Sequence, residues 1–288
     1  MVGVGKGAEH GILIKDAESL ELAQKIDTII LDKTGTITEG KPIVTDVLLF
    51  DENPKFISIL KTMESQSEHP LADAVAKHFK DVSVLTFENF ESLTGKGVKA
   101  DFEEKTYFVG KPDLAKELKI KLSEQQQATV YKWQEEAKTV VLFFSLSNLL
   151  GLIAIADKIK VSSAEAIKKM QNSGLCVIML TGDNEKTAKA VAEQVGISEF
   201  KANCLPSDKS DYISQLQSKG HIVGMVGDGV NDSVSLATAD VGIAMGSGSD
   251  VALDVAKMAI ISNDLMKIPD AIKLSKRTMN TVKQNLFW

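Results

Sequence analysis

Along this chain the apolar residues come in short runs that alternate with longer amphipathic stretches. The run "TIILD" near Thr28 is a strand of β-formers that ends on an acid. From about Ile153 the alternation is regular. "LIAIAD" reads as a strand. "SSAEAIKKMQNSG", Ser162 to Gly174, reads as a helix capped by serine, with Ala166, Ile167 and Met170 on one face and a terminal glycine. "LCVIMLTGD" is a strand and "NEKTAKAVAEQVG" a helix. A helix near Asp208–Lys219 follows, then the strands "HIVGMVGDG", "DVGIAMG" and "KMAIIS". Such alternation predicts a parallel sheet with helices on both faces.

The run near Thr28 stands more than a hundred residues ahead of its fellows, so the sheet-forming domain is expected to be split. Residues 1–50 and 150–288 form it, and residues 51–149 are an insertion of helix, strands, a helix near Glu124–Lys138 and a closing hairpin. The segment "TVVLFFSLSNLLGLIAIAD", Thr139 to Asp157, approaches the length of a membrane span. Ser145, Ser147, Asn148 and Gly151 interrupt it, whereas a spanning helix needs about 20 apolar residues. Two strands, Thr139–Leu146 and Leu149–Ala156, joined at Ser147-Asn148, fit better.

Bulk composition narrows the classes. The 288 residues are 44% hydrophobic and 25% charged, near the globular average, with a net charge of −6. No basic excess points to a nucleic-acid partner. Two cysteines, Cys176 in an apolar run where it reads as core, and Cys204, form no CxxC pair, which disfavours a zinc site or disulfide framework. "MVGVGKGAEHG" lacks the apolar stretch of a secretory signal.

Candidate chemistry lies at the strand ends. Asp32 ends one strand, Thr181-Gly182-Asp183 another, and Gly227-Asp228-Gly229 a third, with Asn231 and Asp232 just beyond. In open α/β sheets these carboxyl ends form the ligand crevice. Carboxylates gathered there need a hard cation, for which Mg²⁺ suits oxygen donors and a phosphate substrate. A carboxylate can also attack phosphorus and become an aspartyl phosphate. Lys209 would supply positive charge, and Thr181 and Gly182 a hydroxyl and an N–H. Singly each residue reads as a turn former, a helix cap or a solvated lysine; together at three strand tips they read as a site.

The strings "DKTGTIT", "TGD" and "GDGVND" resemble the signature set of the P-type ATPases, whose phosphorylation domain has the haloacid-dehalogenase fold. "SEHPLADAV", Ser67 to Val75, and "GVGKGAEHGILIKDAESLE" are similar to the heavy-metal-transporting subgroup, and the likeness covers essentially the whole chain. It implies a Rossmann-like parallel-sheet phosphorylation domain with an inserted α+β nucleotide-binding domain, using ATP and Mg²⁺. By this resemblance Asp32, followed by Lys33, is phosphorylated. Asp32, Thr34 and Asp228 bind Mg²⁺. Thr181, Gly182, Asp183 and Lys209 hold the phosphoryl group, and Asn231 and Asp232 order the site. Glu64, His69, Gly95, Gly97, Gly110 and Lys111 line the ATP pocket, with Lys111 standing where the family often has asparagine. The glycines suit a nucleotide pressed against backbone.

Phosphatases of this fold usually carry a second aspartate two residues after the nucleophile. Thr34 stands there and cannot activate water, so an acyl phosphate on Asp32 is expected to persist. The opening "GVGKGA" and the ending "KQNLFW" resemble copper(I) pumps more than zinc or cadmium ones. The expectation is a soluble catalytic fragment of a copper pump, working at the cytoplasmic face of a membrane beside membrane and actuator domains, with the transported ion bound elsewhere. A zinc/cadmium pump, a free-standing phosphatase and a non-catalytic nucleotide-binding module stay open as alternatives.

Overall fold

A computed structural model of the protein describes residues 2–51, 53–228, 232–246 and 254–287. The chain forms two compact units, Met1–Gly40 with Ile159–Trp288, and Lys41–Lys158.

In the first unit, helices α1 (Val2–Glu9) and α2 (Ala17–Lys25) flank the short strand β1 (Ile12–Ile14) and lead to β2 (Thr28–Asp32). After the second unit the chain resumes at α7 (Ser163–Asn172), β9 (Cys176–Leu180), α8 (Glu185–Val195), β10 (Glu199–Lys201) and α9 (Pro206–Ser218). It continues through β11 (Val223–Gly227), α10 (Ser233–Thr238), β12 (Val241–Met245), β13 (Met258–Ile260) and α11 (Lys267–Phe287). The sheet order is β1-β13-β12-β11-β2-β9-β10, parallel except for β1, which runs antiparallel along β13. Every position of β2, β11 and β12 is buried, as a parallel sheet covered on both faces requires. Ile213 and Leu216 of α9 and Leu236 of α10 pack on Ile30, Met225 and Ala244. Helices α2, α7 and α11 form a second packed group.

The helix ends follow their sequence signals in part. Asn184 accepts from the N–H groups of Lys186 and Thr187 at 3.0 and 3.1 Å and starts α8, which Gly196 ends in the left-handed region. Ser162 does not cap α7 as expected. Its hydroxyl donates instead to Asp264 Oδ1 at 2.9 Å.

The second unit holds β3 (Ile43–Leu49), α3 (Pro54–Ser65), α4 (Pro70–His78), β4 (Asn89–Leu93), β5 (Gly97–Phe102) and β6 (Lys105–Gly110), followed by α5 (Pro112–Glu117), α6 (Glu124–Glu135), β7 (Thr139–Ser145) and β8 (Leu149–Ala156). Its antiparallel sheet has the order β3-β8-β7-β6-β5-β4. Here the long apolar run finds its explanation. Val141 and Phe143 of β7 join a core with Ile59, Leu60 and Met63 of α3, while Val140, Leu142 and Phe144 join another with Leu114, Ala115 and Val130. A strand buried on both faces reads as continuously hydrophobic. No helix among the described residues is long and apolar enough to cross a membrane.

Two expectations are corrected. Strands β3 and β8 pair with each other inside the second unit, so its limits fall at Lys41 and Lys158, not at 51 and 149. Cys176 is exposed, because it is the first residue of β9 and only the four that follow it are buried.

Candidate functional site at the strand tips

Asp32 closes β2, which lies between β11 and β9 in the middle of the sheet. A tight turn follows. The Thr38 N–H and hydroxyl both donate to the Lys33 carbonyl at 3.0 Å, and Gly35 sits at φ +74°. That angle favours glycine, and space demands it as well. A Cβ on Gly35 would stand 2.5 Å from Asp228 Oδ2, so the Asp228 carboxylate rests directly on this turn. The loop of β9 is fixed from the other side. Cys204 N–H donates to Thr181 O at 3.0 Å and Asn203 N–H to Asp183 O at 2.6 Å.

The charged side chains interlock. Lys209, on the first turn of α9 and 7% exposed, donates to Asp32 Oδ1 at 2.6 Å and to Asp232 Oδ1 at 2.7 Å. Burial works against its charge, but the two carboxylates outweigh this and hold the ammonium above the usual lysine range. Burial, and then the charge of Asp32, pushes Asp232 up to about 7 in spite of Lys209. A single cation cannot neutralise two buried acids. Lys33, also buried, pairs with Asp183 Oδ2 at 2.5 Å, and Asp183 N–H donates to Thr181 Oγ1 at 3.1 Å.

One participant escaped the sequence reading. Lys160 is 8% exposed, and its ammonium donates to Gly35 O at 2.7 Å and Asn263 Oδ1 at 2.6 Å. Its N–H also reaches Ile37 O. It therefore buttresses the turn that follows Asp32. No local pattern marks an isolated lysine as buried; only its long-range contacts do.

The sequence-predicted residues Asp32, Lys33, Thr181, Asp183, Lys209, Asp228 and Asp232 are thus brought to one end of one sheet, with Thr34 in the turn and Gly182 in the β9 loop. Asn231 lies outside the described residues. Asp32, Asp183, Asp228 and Asp232 gather here around the ammonium groups of Lys33 and Lys209, and the raised Asp232 shows that negative charge is in excess. Hard oxygen donors with a surplus of negative charge fit Mg²⁺. The buried Thr36 hydroxyl of the same turn has no partner among the described residues.

In the second unit, Glu64 lies near the end of α3, 5% exposed, and burial alone pushes its carboxyl up to about 8. At neutral pH it is a protonated donor. His69 caps α4, its Nδ1 accepting from Leu71 N–H at 3.2 Å. Gly97 and Gly110 are register partners across β5 and β6. A Cβ on Gly97 would fall against Val109 O and 2.5 Å from Gly110 Cα; one on Gly110 would stand 2.5 Å from Lys96 O. Neighbouring backbone leaves no room for a Cβ at either position, so both must be glycine whatever lies beside them. Gly95 turns at φ +72°, and Lys111 N–H donates to Lys96 O at 2.9 Å.

Comparison with known proteins agrees with this architecture. A family model described as haloacid dehalogenase-like hydrolase matches residues 26–240. Over its full length the chain is 44% identical to the probable copper-transporting ATPase PacS of Synechocystis and spans 40% of that protein. It is 42% identical to the copper-exporting P-type ATPase of Staphylococcus saprophyticus and spans 36% of it, so it covers less than half of these relatives. The catalytic domain of the CPx-ATPase CopB-B superposes with a TM-score of 0.76 at 30% identity, covering 94% of this chain and 98% of that one. A zinc-transporting PIB-type ATPase gives 0.66 at 33% identity, over 98% of this chain and 46% of that one. With its fold, its strand-tip acids and these likenesses taken together, the chain belongs to the haloacid dehalogenase-like hydrolases, as a homologue of the catalytic domain of copper-exporting PIB-type P-type ATPases.

Proposed function

We propose that the chain takes the γ-phosphoryl group of ATP onto Asp32 and that, in the complete pump, this step drives copper(I) across a membrane. The observation that carries the reading is a buried aspartate at the tip of an interior strand, gripped through Oδ1 by Lys209, with threonine and not an acid two residues on. Asp32 Oδ2 attacks the γ-phosphorus. The bond to the β,γ-bridging oxygen breaks, and ADP leaves with that electron pair. Lys209 and Lys33 set positive charge against the phosphoryl oxygens, and Thr181 with the Gly182 N–H adds donors. Asp32, Asp228 and the Thr34 carbonyl would hold Mg²⁺, which supplies further charge neutralisation when bound. Thr34 offers no base to water, so the acyl phosphate outlasts one turnover of a phosphatase.

The second unit is read as the nucleotide-binding domain, with Glu64, His69, Gly95, Gly97, Gly110 and Lys111 around ATP, and the first as the phosphorylation domain. The remaining membrane and actuator domains complete the pump, with these two units on the cytoplasmic face. Copper is preferred to zinc because the copper-named relatives reach 45% identity against 33% for the zinc-named structure. The test is incubation with Mg²⁺ and γ-labelled ATP, followed by acid quench, with Asp32→Asn as control. Label trapped on the native chain and absent from the variant is the expected result. Rapid phosphate release without trapping would make the protein a phosphatase instead. In the complete pump, an ATPase rate stimulated by Zn²⁺ and not by Cu⁺ would overturn the choice of metal.

A further inference from the structure

The first unit contains a cleft of about 270 Å³ between the end of α1, strand β1 and the first three turns of α11. It shares no residue with the strand-tip site. Lys6 and His10 line it from one side, and Lys267, Lys273 and Arg277 from α11. The α11 residues at 267, 270, 273, 274 and 277 recur at helical spacing and so share a face. Ile12 and Leu274 supply apolar lining. The cleft wall is tightly seated, since a Cβ on Gly7 would stand 3.0 Å from Ile12 O and 3.2 Å from a Leu274 methyl carbon.

The charge here runs against the rest of the molecule. The chain carries −6 overall, yet four permanent cations meet in this cleft with Asp270 as the single acid. Asp270 is already paired with Lys169 at 2.8 Å. Among the described residues no ion pair engages Lys6, Lys267, Lys273 or Arg277. Like charges brought together without counter-ions repel, which disfavours such a cluster unless an anion joins it. The choice of residue is equally pointed. Of 33 basic residues, Arg277 is the only arginine in the sequence. The planar guanidinium fork grips a phosphate through two parallel N–H donors, a geometry that lysine lacks.

We propose that this cleft binds a phosphate-type anion, with Arg277 as the bidentate anchor and Lys6 and Lys273 closing on it from two elements. A free phosphate compound and the headgroup of an anionic lipid share this chemistry, and the experiment separates them.

A single arginine gives a single side-chain Nε–Hε signal in a ¹⁵N correlation spectrum, so the site reports on itself whatever binds elsewhere. Inorganic pyrophosphate is titrated into the labelled 288-residue chain. In parallel, co-sedimentation is measured with vesicles of phosphatidylcholine alone and of phosphatidylcholine with phosphatidylglycerol. A saturable shift of the arginine signal by pyrophosphate supports a free phosphate ligand. Binding to the anionic vesicles alone, without that shift, supports the headgroup. In either case Lys6→Gln with Lys273→Gln weakens binding roughly tenfold or more, and raised salt weakens it further. Both lysines are exposed, so the fold survives the change. For the vesicle arm, Arg277→Lys gives a comparable loss. An arginine signal unmoved by pyrophosphate together with no preference for anionic vesicles overturns the proposal, as does binding that is equal in the native chain and the lysine double variant.

Discussion

Replacing Lys209 by methionine would leave Asp32 and Asp232 buried with no direct counter-ion, since this one ammonium bonds both at 2.6 and 2.7 Å. The expected loss is ~3–5 kcal/mol in the stability of the first unit, read by urea titration, with no label on Asp32. A variant that keeps native stability would remove Lys209 from the structural account. Glu64 gives the opposite kind of test. Its carboxyl is raised from 4.5 to about 8 by burial, so folding favours the protonated form. The stability this confers is fully present below pH 4.5 and is lost as the pH rises through 8. Glu64→Gln should therefore melt like the native second unit at pH 4 and be more stable at pH 9, by an amount of order 4 kcal/mol. Nucleotide affinity should also fall in the native chain above pH 8, where the carboxyl ceases to be a donor. Most of the strand-tip site was legible at this scale, because acids and glycines at strand ends are local signals. Lys160 was not, since nothing around it in sequence reveals that its ammonium meets Gly35 and Asn263.

Among the elements, the pairing of β5 with β6 depends on two facing glycines. Gly97→Ala forces a Cβ onto the Val109 carbonyl and should cost the second unit at least ~2 kcal/mol. The melting temperature of that unit checks this. An unshifted melt would mean that the strands can separate without penalty. The same scale shows where the sequence is opaque. The hairpin β7–β8 and the alternating strands and helices after Ile153 follow from runs of five or more apolar residues. Strands β1 and β10 have three residues each, too few to display a period, and Leu13 at the centre of β1 is exposed. Strand β3 was read into the wrong unit for a different reason. Its partner β8 lies a hundred residues onward, and pairing across that distance leaves no trace in the local pattern. Ser162 illustrates the competition between caps and tertiary bonds, for Asp264 accepts the hydroxyl that the helix start was expected to use.

At the scale of the molecule, the second unit is a single continuous stretch whose first and last strands pair with each other. Ile43 stands opposite Ala156, and Lys41 N–H donates to Asp157 Oδ1 at 3.1 Å. Residues 41–158 expressed alone should fold with one cooperative transition and bind ATP, and His69→Gln should weaken that binding in calorimetric titration. A disordered fragment would show that the unit borrows its stability from the rest of the chain. The host is equally self-sufficient. None of its seven strands comes from the insert, and an isolated bridge between Thr38 and Ile159 already joins the two edges of the gap. In evolutionary terms this is a socket. A recombination event with breakpoints at Gly40 and Ile159 could exchange or delete the whole passenger while the host sheet kept its strand order, so the two halves of such a gene can acquire mutations and ancestry on separate schedules.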